Sequence, residues 1–224
     1  MLQILNVGPG IMAGDSFELS LRVERGAKVV IISQSATKLH TMPAGSARQT
    51  LKVIVEAGGE LEYYPGLVIP YRDAEFVQTT DVVLQQGARF GMLERLSAGR
   101  VAFGEAFSFR RLSNRLKIRR EERLVYADGL ELSTHAASTG VLDAHTHLAS
   151  GVWMWDYLGE GSKEVVKPTR GGTDLVHGSF GEGLYLRGLS SDGLRQLRQV
   201  TDVVQTWREA CCLPPLPINR FGRL

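Results

Sequence analysis

A strand-turn-strand phrase that returns at a nearly fixed interval restricts this chain more than any other feature. From Ser16 to Ile32 the apolar positions Phe17, Leu19, Leu21 and Val23 alternate with polar ones, break at Arg25-Gly26, and resume as Val29 to Ile32. Alternation of that period marks a half-buried strand, and a glycine between two such runs marks a turn. The phrase recurs from Leu51 to Leu61 around Gly58-Gly59 and from Asp81 to Phe90 around Gly87. The turn glycines Gly26, Gly58 and Gly87 are 32 and 29 residues apart, a period that holds one supersecondary unit. The expected fold is mainly β, a helicoid stack of β-hairpins. Arg115-Leu116-Lys117-Ile118-Arg119 adds a strand with two aliphatic side chains on one face and three cations on the other. Asp128-Gly129, between Arg123-Leu124-Val125-Tyr126 and Leu130-Glu131-Leu132, predicts one more hairpin turn. Weak periodicity from Glu160 to Gly183 predicts a long irregular crossover.

Only the end of the chain has helical spacing. Ser190-Ser191-Asp192 supplies capping residues, and Leu194, Leu197, Val200, Val204 and Trp207 follow at intervals of three and four until Pro214-Pro215. This predicts a C-terminal α-helix near residues 191 to 210. With 224 residues, 43% of them hydrophobic, the chain can close the core of a single domain, residues 1 to 224. Lys and Arg exceed Asp and Glu by only 2, so net charge gives no reason to expect a polyanion. No apolar run reaches the roughly 20 residues of a bilayer helix, and the first residues lack a basic segment, so a cytoplasmic protein without membrane contact is expected. The two cysteines are adjacent, Cys211-Cys212, so they frame neither a disulfide scaffold nor a zinc knuckle.

Gly8-Pro9-Gly10-Ile11-Met12-Ala13-Gly14 departs from dinucleotide-binding spacing and precedes a strand, so it reads as a turn presenting Asp15. Ser33-Gln34-Ser35-Ala36-Thr37-Lys38 gathers hydroxyls, an amide and an ammonium without the glycines of a nucleophile elbow, and reads as a polar partner-facing patch. Asp143, His145 and His147 share the parity of an extended segment, a pattern that can hold a divalent metal such as Ni or Zn. The run from Arg110 to Arg123 carries seven cations, but they do not share one strand face and have few aromatic neighbours, so it reads as a solvated face rather than a nucleic-acid stripe. No catalytic constellation emerges. Two alternatives stay open on the residues alone, a β-rich nucleic-acid binder and a metal-dependent hydrolase at His145 and His147.

An ordered series of short motifs resembles the urease accessory protein UreD family, called UreH in some organisms. It comprises Gly8-Pro9-Gly10-Ile11-Met12-Ala13-Gly14-Asp15, Gln34-Ser35-Ala36-Thr37-Lys38, Leu61-Glu62-Tyr63-Tyr64-Pro65, Glu94, Gly99-Arg100 and Gly104-Glu105-Ala106-Phe107, followed by Leu184-Tyr185-Leu186-Arg187. The resemblance implies a non-enzymatic maturation factor that binds urease apoprotein and UreF, and through UreF the GTPase UreG, so that nickel reaches urease. It implies nickel as transient cargo with no tightly bound cofactor, and an internal passage for that ion. Asp15, Glu62, Glu94 and Glu105 are the matching acidic candidates for nickel transit. Gln34, Ser35, Thr37, Lys38, Tyr63 and Arg100 are motif residues for a partner surface. The family usually carries further residues, strands included, ahead of its first motif, so N-terminal strands are expected to be missing here.

Overall fold

In a computed structural model, residues 1–134, 142, 145–155 and 173–216 are described. The strands are β1 (Leu2–Ile4), β2 (Ser16–Val23), β3 (Lys28–Ser33), β4 (Thr37–Leu39), β5 (Ala47–Val55), β6 (Glu60–Tyr64), β7 (Leu67–Pro70) and β8 (Glu75–Leu84). They continue as β9 (Arg89–Ser97), β10 (Gly99–Arg100), β11 (Glu105–Ala106), β12 (Arg111–Arg120), β13 (Arg123–Ser133), β14 (His147–Met154), β15 (Thr173–Phe180) and β16 (Gly183–Ser190). One α-helix, α1 (Gly193–Ala210), follows. The mainly β, helicoid stack with a C-terminal helix is the observed fold.

The pairing inside the repeat differs from a row of hairpins. β2 and β3 do not pair with each other: β2 runs parallel to β5, which runs parallel to β8, while β3 runs parallel to β6, and β6 to β9. Each phrase is therefore an arch that carries the chain from a five-stranded sheet, in the order β13-β12-β8-β5-β2, to a larger sheet whose path is β1-β3-β6-β9-β14-β16-β15. The turns explain this. Ala27, Gly59 and Ala88 donate their N–H groups to the carbonyls of Glu24, Glu56 and Gln85 at 3.0, 2.8 and 3.0 Å. In each turn only the second central residue, Gly26, Gly58 or Gly87, has positive φ, at 69°, 67° and 66°. A tight hairpin needs positive φ at the first central residue, and a turn without it splays its strands. The splayed arches stack instead, with the Gly26 and Gly58 N–H groups reaching the Ala57 and Gln86 carbonyls of the next turn.

Two further expectations are corrected. Asp128-Gly129 is no turn: both residues lie inside the continuous strand β13, opposite Leu116 and Arg115 of β12. The hairpin turns at Glu121-Glu122, where Glu121 carries the required left-handed φ of 54°. Unshifted pairing with β12 from Arg111–Ser133 to Ile118–Tyr126 holds β13 in register across the Asp-Gly dipeptide. Likewise Thr173–Phe180, expected to be irregular, is a strand, β15, paired antiparallel with β16.

Strand parity sorts side chains into layers. Between the sheets lies one apolar core that includes Leu51, Val53, Leu61, Val82, Phe90, Met92 and Ile118. A second, built from Ile11, Leu39, Ala47, Phe76, Phe109 and Leu112, fills the other end. The outer face of the large sheet is covered by α1, whose Val200, Val204 and Trp207 are buried against Ile32, Tyr64, Leu93, Trp153 and Trp155. Trp207 lies 4.8 Å from Trp155 and 5.6 Å from Trp153, ring centre to ring centre. The Asp192 carboxylate caps the helix by accepting the Leu194 and Arg195 N–H groups at 2.9 and 3.0 Å. Cys211 packs partly on this layer and Cys212 is exposed. None of the helices among the described residues is long and apolar enough to cross a membrane.

Candidate functional site

Between the two inter-sheet cores runs a polar layer, and the register of the strands builds it. Gln49 of β5, Gln78 of β8 and Asn114 of β12 are direct neighbours across the small sheet, all at inward parity. Each stands where the strand alternation next to it places Leu51 or Ala47, Thr80 or Phe76, and Leu116 or Leu112. Facing them on the large sheet, Glu94 of β9 shares the inward parity of Phe90 and Met92. The Glu94 carboxylate accepts one hydrogen bond from Gln78 and one from Asn114 at 2.8 Å.

Two cavities meet at this layer. The first, of about 370 Å³, has Gln34, Ser35, Thr37, Lys38, Tyr63 and Gln49 in its wall, together with the Gly8-Pro9-Gly10 turn. The second, of about 150 Å³, is walled by Asn114, Asp128, Ser150 and Arg187 among others. Gln78 and Glu94, with Val68 and Phe76, line both cavities, so this pair stands between them. Burial pushes the Glu94 carboxyl above the usual carboxylate range, while the hydrogen bonds from Asn114 and Gln78 pull the other way. The residue is partly buried, and it lines both cavities. Neighbouring Tyr63, buried at 4% exposure, has its phenol pKa raised by burial and then by the Glu94 charge.

The four acidic candidates do not share one place. Glu62 lies two residues from the next outward position on β6, on the opposite face of the large sheet from Tyr63, and is buried beneath α1. There it forms an ion pair with Arg208 and accepts the Tyr64 hydroxyl at 2.6 Å. Asp15 closes its own turn, its carboxylate accepting the Met12 N–H at 2.8 Å and its N–H donating to the Met12 carbonyl at 3.1 Å. The turn that presents Asp15 thus exists, with the carboxylate spent on the turn. Glu105 is held by Arg100 through two bonds of 2.7 and 2.8 Å, which lower its carboxyl pKa, with Arg72 at 3.8 Å. Arg100 also stacks over Tyr71 at 4.4 Å, beside the exposed Phe103. Arg100 and Glu105 therefore form a separate surface cluster on β10 and β11.

Asp143 lies outside the described residues. His145 approaches the Leu142 carbonyl at 3.2 Å, and His147 lies against Gly193 at the start of α1, where burial and then Arg95 depress its pKa. Among the described residues no three His, Cys, Asp or Glu side chains gather as a metal site. Of the basic run, Arg110, Arg111, Arg119, Arg120 and Arg123 are each ion-paired, to Glu75, Glu131, Asp81, Glu182 and Glu182.

Gln49, Gln78, Asn114 and Ser150 were not singled out in the sequence, and Asp128 and Arg187 stood out only as a turn residue and as part of a motif. A signal for the first three existed: an amide at inward parity within an otherwise apolar strand face is costly to bury unless it is bonded or hydrated.

The description "UreD urease accessory protein" fits a family model over residues 1–223 of this chain. A urease accessory protein UreD from Deinococcus radiodurans is 32% identical over 208 residues, covering 89% of this chain and 75% of that protein. UreD 1 from a Synechococcus strain is 38% identical over 160 residues, 70% of this chain and 60% of that protein. UreH from Helicobacter pylori J99 is 28% identical over 204 residues, 88% of this chain and 77% of that protein. With that family model matched over residues 1–223 and a UreD relative 32% identical over 89% of its length, this chain belongs to the UreD family of urease accessory proteins.

Proposed function

We propose that this chain is a non-enzymatic urease maturation factor that binds urease apoprotein and UreF, reaches UreG through UreF, and passes nickel toward the urease active site in the cytoplasm. The observation that carries the reading is the polar layer whose Gln78 and Glu94 line two cavities, one on either side. A divalent ion in transit needs oxygen donors that hold it briefly, and one carboxylate among amides and hydroxyls binds more weakly than a His/Cys cage. Nickel is cargo here, not a resident cofactor. Glu94 is the transit candidate whose carboxylate faces the cavities, while Asp15, Glu62 and Glu105 are committed to a turn and to ion pairs.

Gln34, Ser35, Thr37 and Lys38 then form the rim of the first cavity, the place where a partner would hand over the ion. The Arg100, Tyr71 and Phe103 cluster is a second contact surface, since an exposed aromatic braced by a cation suits a protein interface. The test is co-expression with the urease structural subunits, UreF and UreG. Wild type is expected to co-purify with urease and UreF, and Glu94→Gln to keep both partners while urease nickel content falls. Recovery of neither partner by a folded bait, or full nickel with Glu94→Gln, contradicts the reading.

A further inference from the structure

The wall of the second cavity includes an ion pair that bridges the two sheets. Arg187 of β16 meets Asp128 of β13 at 2.5 Å and donates to Ser150 of β14 at 2.6 Å. Strand register aligns this clasp with the carboxylate at the cavity junction: Ser150 is the direct neighbour of Glu94 on one side and of Arg187 on the other. Glu94, Ser150 and Arg187 thus form one row across the inner face of the large sheet, and Asp128 reaches that row from the opposite sheet. The Arg187 and Asp128 side chains keep 37% and 27% of their surface exposed, and both line the second cavity.

We infer that Arg187 is the gate residue at this end of the passage: engaged with Asp128 it closes the second cavity, and it opens when a divalent cation arrives beyond Glu94. This rests on the passage reading above. A fixed guanidinium beside a cavity whose wall is mostly apolar, with Leu112, Leu116, Leu130 and Leu148 in it, repels a cation at close range in a medium less polarisable than water. The same approaching ion attracts Asp128, so it competes directly for the carboxylate that holds the gate shut. Closure by a half-exposed pair is weak enough to yield to that competition, where a fully buried pair would not be. Arg187 acts as a positioning residue; the ion's own oxygen ligand is Glu94.

The experiment reads access to the cavity. In full-length chain with Cys211→Ser and Cys212→Ser, Leu130→Cys places a thiol in the wall of the second cavity, next to Asn114 in register. Its labelling by a cationic methanethiosulfonate reagent is followed with and without added Ni²⁺. Arg187→Gln and, independently, Asp128→Asn are expected to speed labelling about tenfold, the change expected when a charge-assisted contact no longer holds the closed state. Arg187→Lys is expected to restore slow labelling. Ni²⁺ is expected to speed labelling of the parent and to add little in either open variant. Unchanged labelling in both variants, with native circular dichroism, overturns the gate. Urease nickel content with Glu94→Gln separates the two ideas. A fall there with unchanged labelling removes the gate alone, while full nickel removes the passage and the gate with it.

Discussion

Glu62 and Arg208, 146 residues apart in the chain, form an ion pair whose side chains are only 6% and 5% exposed. The carboxylate comes from the outward face of β6 and the guanidinium from the last turn of α1. Arg208 further donates to the Pro214 carbonyl from Nε at 2.9 Å and Nη2 at 2.6 Å, so one side chain ties sheet, helix and tail together. Tyr64 supplies the second bond to the carboxylate, and burial followed by the Glu62 charge raises its phenol pKa.

Removing one member of this pair leaves a buried charge unmatched. Arg208→Met is expected to lower unfolding stability by about 3–5 kcal/mol in urea denaturation, whereas the double variant Glu62→Gln/Arg208→Met recovers much of it. The double-mutant cycle measures the coupling. A single-variant loss within experimental error would show that the pair does not hold the helix.

At Gly58 the cost of a side chain is conformational alone, because a Cβ would meet no atom within 4 Å while φ is 67°. Gly58→Ala is therefore expected to destabilise by about 1–2 kcal/mol, and Gly58→Asn by less. Gly99 contrasts with it: a Cβ there would stand 2.1 Å from the Glu105 carbonyl oxygen, so Gly99→Ala is expected to disturb the β10-β11 cluster itself. Thermal melts of the three variants separate the two causes.

The pH dependence of stability isolates Glu94. Its folded pKa is raised above the ordinary value of 4.5, so between those two values the folded state binds more protons than the unfolded one. Stability attributable to this group then falls as pH rises through that window. Glu94→Gln is expected to be more stable than wild type at neutral pH, with the advantage shrinking as pH falls toward 4.5. Chemical denaturation of both proteins across pH 4.5 to about 8 checks the sign. An advantage that grows on acidification refutes it.

Asp15 provides the complementary test. Asp15→Ala loses the bond to the Met12 N–H and is expected to cost about 0.5–1.5 kcal/mol of stability. Urease nickel content after co-expression is expected to stay at the wild-type level for this variant and to fall for Glu94→Gln. A fall with Asp15→Ala at unchanged stability would return Asp15 to the transit path.

Alternation, turn glycines and their spacing were enough to read the β class, the repeated unit and the helix ending before Pro214 from the residues alone, because these follow from local periodicity and φ preference. Strand pairing was not legible. Period two tells which residues share a face, but not whether β2 bonds to β3 or to β5, and that choice turned on the φ of one turn residue. Asp128-Gly129 shows the same limit, its local turn preference overridden by continuous pairing with β12.

Among the candidate residues, the motif order singled out Tyr63, Glu94 and Gln34 to Lys38, which the fold does bring to a common cavity. It grouped Glu62 with Glu94, although the parity of β6 and β9 puts them on opposite faces of one sheet. The partners were out of reach altogether: nothing near Glu62 in sequence foretells Arg208, and nothing near Glu94 foretells Gln78 and Asn114. Local sequence decides which face a side chain takes, and long-range packing alone decides what charge or cavity waits for it there. That is why one carboxylate became a structural ion pair and another part of the wall of two cavities.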